Sequence, residues 1–277
     1  MIGLGSNRLT VCRRGGMSVT QAGRGGMEWL AGGRIPSWAS PYSAAATAAL
    51  KAQFPTQWPT IRDYGWQHEA LVPFINEDPM LVMSLIAGLG TRLILTTAFN
   101  VAIDTEYYWK AGSSIKMDFV SITNTDNYSI FGASNGSAYN QGEVAVFWNN
   151  GRWDVVVPSS NTASGATQVG TYAANTAYSI EYTDTKFKVN GTEYNISVYS
   201  QYQGTKTIYF FATHRPTPWY GAYKMKEAIL YQDGVEQKHF VPFKSSTQGN
   251  GMLDIVGLRF HPKVGSGSFT ISETPAS

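Results

Sequence analysis

From residue 92 onward, apolar and polar positions alternate with a period of two. Ile115, Met117 and Phe119 alternate with Lys116 and Asp118, Tyr178, Ile180 and Tyr182 with Ser179 and Glu181, and Phe187 and Val189 with Lys186 and Lys188. This period turns one side of each segment to a core and the other to water, as in a half-buried strand. Three turn sequences separate such runs. Asn150-Gly151 falls between 144–148 and 152–157, Asn190-Gly191 between 186–189 and 192–196, and Asp233-Gly234 between 229–231 and 235–241. Glycine at the second position supplies the positive φ that primed hairpin turns demand. Pro242, which cannot donate to a ladder, is predicted to close the last of these strands. Many short antiparallel strands with regular turn signals imply a two-sheet sandwich.

Upstream the pattern changes. Ser43 followed by Ala44–Gln53 reads as an N-cap and a short helix that stops before Pro55. Trp58, Tyr64, Trp66 and Phe74 then occur among prolines without a helical period. That stretch reads as an extended, aromatic-studded segment that either docks on a partner or covers the β body. Asp78-Pro79 predicts a second helix, with Asp78 as cap and Pro79 at the first position, running to a stop at Gly88. It would be the hinge between an arm, 1–90, and a body, 91–277. The most apolar window, 81–99, is broken by Gly88, Gly90 and Arg92, and reads as helix, turn and strand rather than a membrane span.

Composition supports the β reading: charged residues make up 14% and aromatics 13% of the 277 residues, with 28 Gly and 16 Tyr. The net charge of +2 is uneven. Residues 1–36 carry Arg8, Arg13, Arg14, Arg24 and Arg34 against Glu28, five minus one, so the rest of the chain sums to about −2. This Gly/Arg-rich end holds too little apolar surface to fold alone, and its Arg residues, with Trp29 and Trp38, are the expected anchors to a partner subunit. Nucleic acid is not the expected partner, because the segment has no lysine and little aromatic interleaving. No basic segment followed by an apolar run opens the chain, so no signal peptide is predicted. Cys12 is the single cysteine, which excludes an intrachain disulfide.

The run Leu230-Tyr231-Gln-Asp233-Gly234, followed by Phe240-Val241-Pro242, Gly251-x-x-Asp254 and Gly265-x-Gly267-x-Phe269, resembles the closing segment of concanavalin A-like lectin/glucanase (LamG-like) jelly-roll domains. Those domains occur in phage structural proteins and bacterial surface proteins, and the similarity extends over about residues 92–271. The resemblance implies a mostly β, concanavalin A-like jelly-roll sandwich behind an irregular, short-helical arm. It further implies a structural virion protein of a tailed bacteriophage: a head fibre, decoration or tail-appendage subunit, assembled in the host cytoplasm and homo-oligomeric. Residues 1–90 would bind capsid, portal or tail proteins, and the body would display a lectin-like surface to host or mucus glycans. The alternative on the same fold is a bacterial carbohydrate-binding module or glycan-active enzyme.

Glucanases of that family use Glu-x-Asp-x-x-Glu on one strand. No such triplet occurs: Glu181-Tyr-Thr-Asp184 has the wrong spacing, and its alternation puts Glu181 on the polar face. The four histidines are too scattered for a local zinc motif, and no nucleophile elbow or phosphate loop appears. Neither enzymatic activity nor a cofactor or metal is expected; Asn124-Thr-Asp126-Asn127 has oxygens for calcium but reads as a turn. Recognition chemistry is better represented. Trp148, Arg152 and Trp153 flank a hairpin tip, and His214-Arg215-Pro-Thr-Pro-Trp219-Tyr220 forms a stiff loop rich in stacking groups. These seven are the candidate ligand-binding residues; the competing reading has Trp148 and Trp153 facing the core and the prolines merely shaping a crossover.

Overall fold

The computed structural model describes residues 39–86, 92–122, 128–137, 141–216, 218 and 220–274. The proposed anchors Arg8, Arg13, Arg14, Arg24, Trp29, Arg34 and Trp38, and the Asn124–Asn127 turn, lie outside these residues. The chain divides into two compact units after Pro79.

The described residues of the first unit are helical. Helix α1 (Ala44–Gln53) is capped by Ser43, whose Oγ accepts from Ala46 N at 3.2 Å, while Ser43 N donates to Asn76 Oδ1 at 2.8 Å. The stretch expected to be extended is instead α2 (Trp58–Gln67), a 3₁₀ turn (Glu69–Leu71) and α3 (Val72–Glu77). The prolines that argued against helix, Pro59 and Pro73, sit in first turns, where the missing N–H has no partner to lose. Trp58, Ile61, Gly65 and Trp66 are buried. Tyr42 holds that face, donating to Ile61 O at 2.8 Å, and a Cβ on Gly65 would lie 2.5 Å from its ring. Asp78 does not cap a following helix; it ends α3, its N–H bonding Phe74 O.

The second unit opens with a short helix, α4 (Leu81–Leu85), whose Ser84 Oγ accepts from Leu93 N at 3.1 Å. Sixteen strands follow among the described residues. In chain order they are β1 (Arg92–Thr97), β2 (Val101–Lys110), β3 (Ser113–Ser121), β4 (Tyr128–Ser134), β5 (Glu143–Asn149), β6 (Arg152–Pro158), β7 (Ser164–Val169) and β8 (Ala177–Tyr182). Then come β9 (Lys186–Val189), β10 (Thr192–Asn195), β11 (Gln203–Phe210), β12 (Tyr223–Gln232), β13 (Val235–Ser245), β14 (Gly249–Asp254), β15 (Arg259–Gly265) and β16 (Phe269–Thr274). The ladders are antiparallel and make two layers. One runs β10-β9-β8-β3-β12-β13-β14-β15, with β1 pairing β12 and β16 pairing β1, and the other β15-β2-β11-β4-β5-β6-β7. Strand β15 belongs to both: Arg259–Pro262 pair with β14 and Lys263–Gly265 with β2. The chain is thus a mostly β antiparallel sandwich with short N-terminal helices.

All three hairpins form where the turn chemistry puts them. Asn150-Gly151, Asn190-Gly191 and Asp233-Gly234 have positive φ at both positions and join directly paired strands. Pro242 does not end β13, which continues to Ser245. The ladder to β12 has stopped at Phe240, and a proline is tolerated where a strand has become an edge on one side.

The predicted alternation appears as burial. Ile115, Met117, Phe119, Tyr182 and Leu230 from one layer meet Ile103, Trp109, Phe131, Val146 and Trp153 from the other. The aromatic residues pack edge to face: Trp109 lies 5.3 Å from Tyr182, and Trp153 4.9 Å from Tyr178 and 5.0 Å from Tyr172. Glu181 stays on the polar face, between Lys116 and Lys188 at 3.6 Å each.

An amide-lined cleft as the candidate functional site

Two of the sequence candidates belong to the core. Val144, Val146 and Trp148 alternate inward on β5 and Trp153 does so on β6; Trp153 is fully buried, with Nε1 donating to Thr171 O at 3.0 Å. Hairpin-tip position alone argued for recognition, but the strand pleat turns both rings inside. Arg152, on the opposite pleat, is exposed.

His214 and Arg215 lie at the other end of these strands, roughly 20 Å away by the length of β5. His214 aligns beside β4, donating from its backbone N to Gly132 O at 3.0 Å and accepting from Ser134 N at 3.3 Å. Its ring stacks on Tyr209 with centroids 3.9 Å apart, and Nδ1 is 2.9 Å from Thr207 O. Arg215 is buried and pairs at 3.5 Å with Glu143, which is 0% exposed. A guanidinium withdrawn from water to neutralise a buried carboxylate holds the loop in place and is not free for a ligand. Tyr220 is half-buried, and Trp219 lies outside the described residues.

At this same end, three connections converge on Asn135: the β4–β5 turn, the β6–β7 turn and the start of β11. Asn135 Nδ2 donates to Asn161 O and to Gln203 O, both at 2.9 Å, and its Oδ1 accepts from Thr205 N at 2.6 Å and Thr205 Oγ1 at 3.1 Å. Its amide is fully used. Gln203 N donates to Asn161 Oδ1 at 2.8 Å, which orients the second amide. Gly142 completes the turn with φ +60°, and a Cβ there would stand 2.2 Å from Asn161 O, so only glycine fits. Underneath, Tyr202 OH donates to Gly142 O at 2.8 Å, and burial pushes that phenol well above its ordinary value.

The result is an open cleft of about 240 Å³ lined by Asn135, Gly136, Gln141, Asn161 and Thr162. It is smaller than the roughly 300–1,000 Å³ of drug-sized sites and suits a single small ring. Asn161 Nδ2 has no partner among the described residues, and Thr162 Oγ1 makes only a long contact, 3.4 Å, to Ser160. The lining contains no carboxylate, imidazole or thiol, so it offers hydrogen bonds and no proton-transfer group. In the sequence, Asn135-Gly136-Ser137 is one polar turn among many. The available signal was polar amides in several turns, but nothing local said that those turns meet.

No family model matches the chain, and no curated relative matches its sequence. Remote likenesses exist among solved structures. A protein of Bacteroides ovatus described as a candidate carbohydrate binder is 13% identical over 67% of this chain and 62% of its own, with a TM-score of 0.48. Domains LG4–5 of the mouse laminin α1 chain are 9% identical over 69% and 79%, with a TM-score of 0.37. The enzymatically active domain of tailspike protein 2 from bacteriophage CBA120 is 9% identical over 57% and 29%, with a TM-score of 0.33. This chain therefore spans less than two thirds of the first and third of these proteins, and similarity at this level assigns neither ligand nor activity.

Proposed function

We propose that the β unit is a non-catalytic glycan-binding module whose contact surface is the amide cleft. The carrying observation is the character of its lining. Planar amides and a hydroxyl, two of them with unspent donors beside a loop knotted by Asn135, match a polyhydroxylated ring better than an apolar ligand. The Tyr209–His214 stack beside β4 is an aromatic surface of the kind sugars pack against. The wider role follows from the family resemblance of β12–β16: a structural subunit of a tailed-phage particle, homo-oligomeric, attached through residues 1–90 and displaying the module outward.

The full chain, immobilised on a glycan array, should retain a discrete set of sugars. Asn161→Ala combined with Thr162→Ala should abolish that retention, whereas Arg152→Ala leaves it intact. Absence of any retained glycan, or retention indifferent to the double substitution, refutes the cleft as a binding site. For the particle role, deletion of residues 1–90 should leave particles without the protein.

A further inference from the structure

Lys206 reaches the edge of this cleft without an ion pair. Its Nζ donates to the carbonyl of Gly136, a lining residue, at 3.1 Å, and among the described residues no carboxylate lies within 4.0 Å of it. Among the described residues Lys110, Arg152, Lys224, Lys226, Lys244 and Lys263 are likewise without an ion pair, but none of them is bonded to the cleft lining, and other basic groups of the unit are matched. Lys116, Lys186 and Lys188 are paired with Glu181 or Glu193, Lys238 with Asp254, Arg259 with Glu106, and Arg215, at this same end, with Glu143. Lys206 is half-buried rather than waving in solvent, so part of the cost of ordering its side chain is already met by the Gly136 contact. Its ammonium has two further N–H groups to give. The residues that line the cleft are all neutral.

The geometry points to a sugar carrying one anionic substituent as the ligand class. The anion would sit on Lys206, and the ring hydroxyls on Asn161 Nδ2 and Thr162 Oγ1. A charge-assisted hydrogen bond to a held, partly desolvated ammonium is stronger than the neutral bond that a hydroxymethyl group makes in its place. The inference rests on the glycan reading above and adds the charge of the ligand to it.

The test titrates the full chain, by ligand-observed NMR, with matched methyl glycosides. Glucose and galactose are compared with the corresponding uronic acids and 6-sulfates, so that only the C6 substituent changes. The anionic member of a pair should bind roughly five- to tenfold more tightly. The arm that wins tells carboxylate from sulfate. The ratio should fall towards one at about 0.5 M salt, where charges are screened within a few ångströms. Lys206→Met should abolish the ratio while leaving the neutral sugar within about twofold, and Lys206→Arg should keep it. A ratio near one in the native chain, or one that survives Lys206→Met, overturns the inference while neutral-sugar binding leaves the glycan reading standing. If none of the sugars binds, the glycan reading fails and this inference with it.

Discussion

Asp254 offers the sharpest quantitative test of how the sandwich is held. Its carboxylate is 0% exposed at the end of β14, where it gathers four donors: Lys238 Nζ at 3.1 Å, and the backbone N–H groups of His239, Val256 and Gly257 at 3.1, 3.2 and 3.1 Å. It therefore joins β13 to the turn that launches β15, the strand shared by both layers. Asp254→Ala leaves the Lys238 ammonium, 19% exposed, without its anion and three backbone N–H groups without their acceptor. Breaking a buried pair on one side costs about 3–5 kcal/mol, compared with about 0–1 for an exposed pair. At roughly 2–4 °C per kcal/mol for a unit of this size, the melting temperature should drop by about 6–20 °C. Asp254→Asn keeps the shape and one acceptor oxygen and loses only the ion pair, so it should cost about half as much or less. Adding Lys238→Met to Asp254→Ala should recover part of the loss, because the stranded cation disappears. The assay is urea unfolding followed by tryptophan fluorescence, since Trp109, Trp148 and Trp153 are all buried in this unit. A loss below about 1 kcal/mol for Asp254→Ala, or equal losses for Ala and Asn, would refute the reasoning.

Three further outcomes are expected. Gly142→Ala drives a methyl into Asn161 O at a left-handed backbone position; it should remove glycan retention on the array and lower the melting temperature, whereas Gly151→Ala, with open space around it, should leave retention unchanged. His261 is 1% exposed, with Nδ1 2.8 Å from Asp104 O and 3.8 Å from Glu106, Phe240 beside the ring, and Nε2 buried without a partner among the described residues. Burial holds its pKa below the ordinary histidine value, although Glu106 and Asp254 pull it up and Lys238 pushes it further down. Its neutral form thus contributes stability that is complete above pH ~6.5 and lost as pH falls from there towards the folded-state pKa; urea midpoints at pH 7.5 and 5.5 should differ more in the native chain than in His261→Asn. Trp153→Ala should cost about 3–5 kcal/mol in the same unfolding assay, as expected for a core ring, while Arg152→Ala changes it by less than about 0.5.

Much of the β architecture was written locally. Period-two alternation in 115–119, 178–182 and 186–189 needs only that a pleated strand has two faces, and the Asn-Gly and Asp-Gly turns need only the backbone freedom of two adjacent residues. Ser43 was likewise legible as a cap, because its Oγ satisfies an N–H three residues away. The misreadings arose where position relative to a neighbour mattered. Pro59 and Pro73 looked like breakers until packing placed them in first turns, and Pro242 looked like a terminus until the β12–β13 ladder proved to stop at Phe240. Alternation told that Trp148 and Trp153 shared a side with Val146 and Val155, but whether that side met the second layer is a tertiary fact.

The cleft was the least legible feature. Asn135 reaches partners 26, 68 and 70 residues away, and Lys206 meets Gly136 across 70. Amides in polar turns occur in almost any chain of this composition, and no local rule distinguishes those that merely shape a turn from those that meet. The chain's own pattern determined strands, hairpins and which residues share a side, because these depend on steric terms between near neighbours. Folding alone decided which turns converge and which charges remain unpaired, because these depend on contacts that exist only once the two layers have closed.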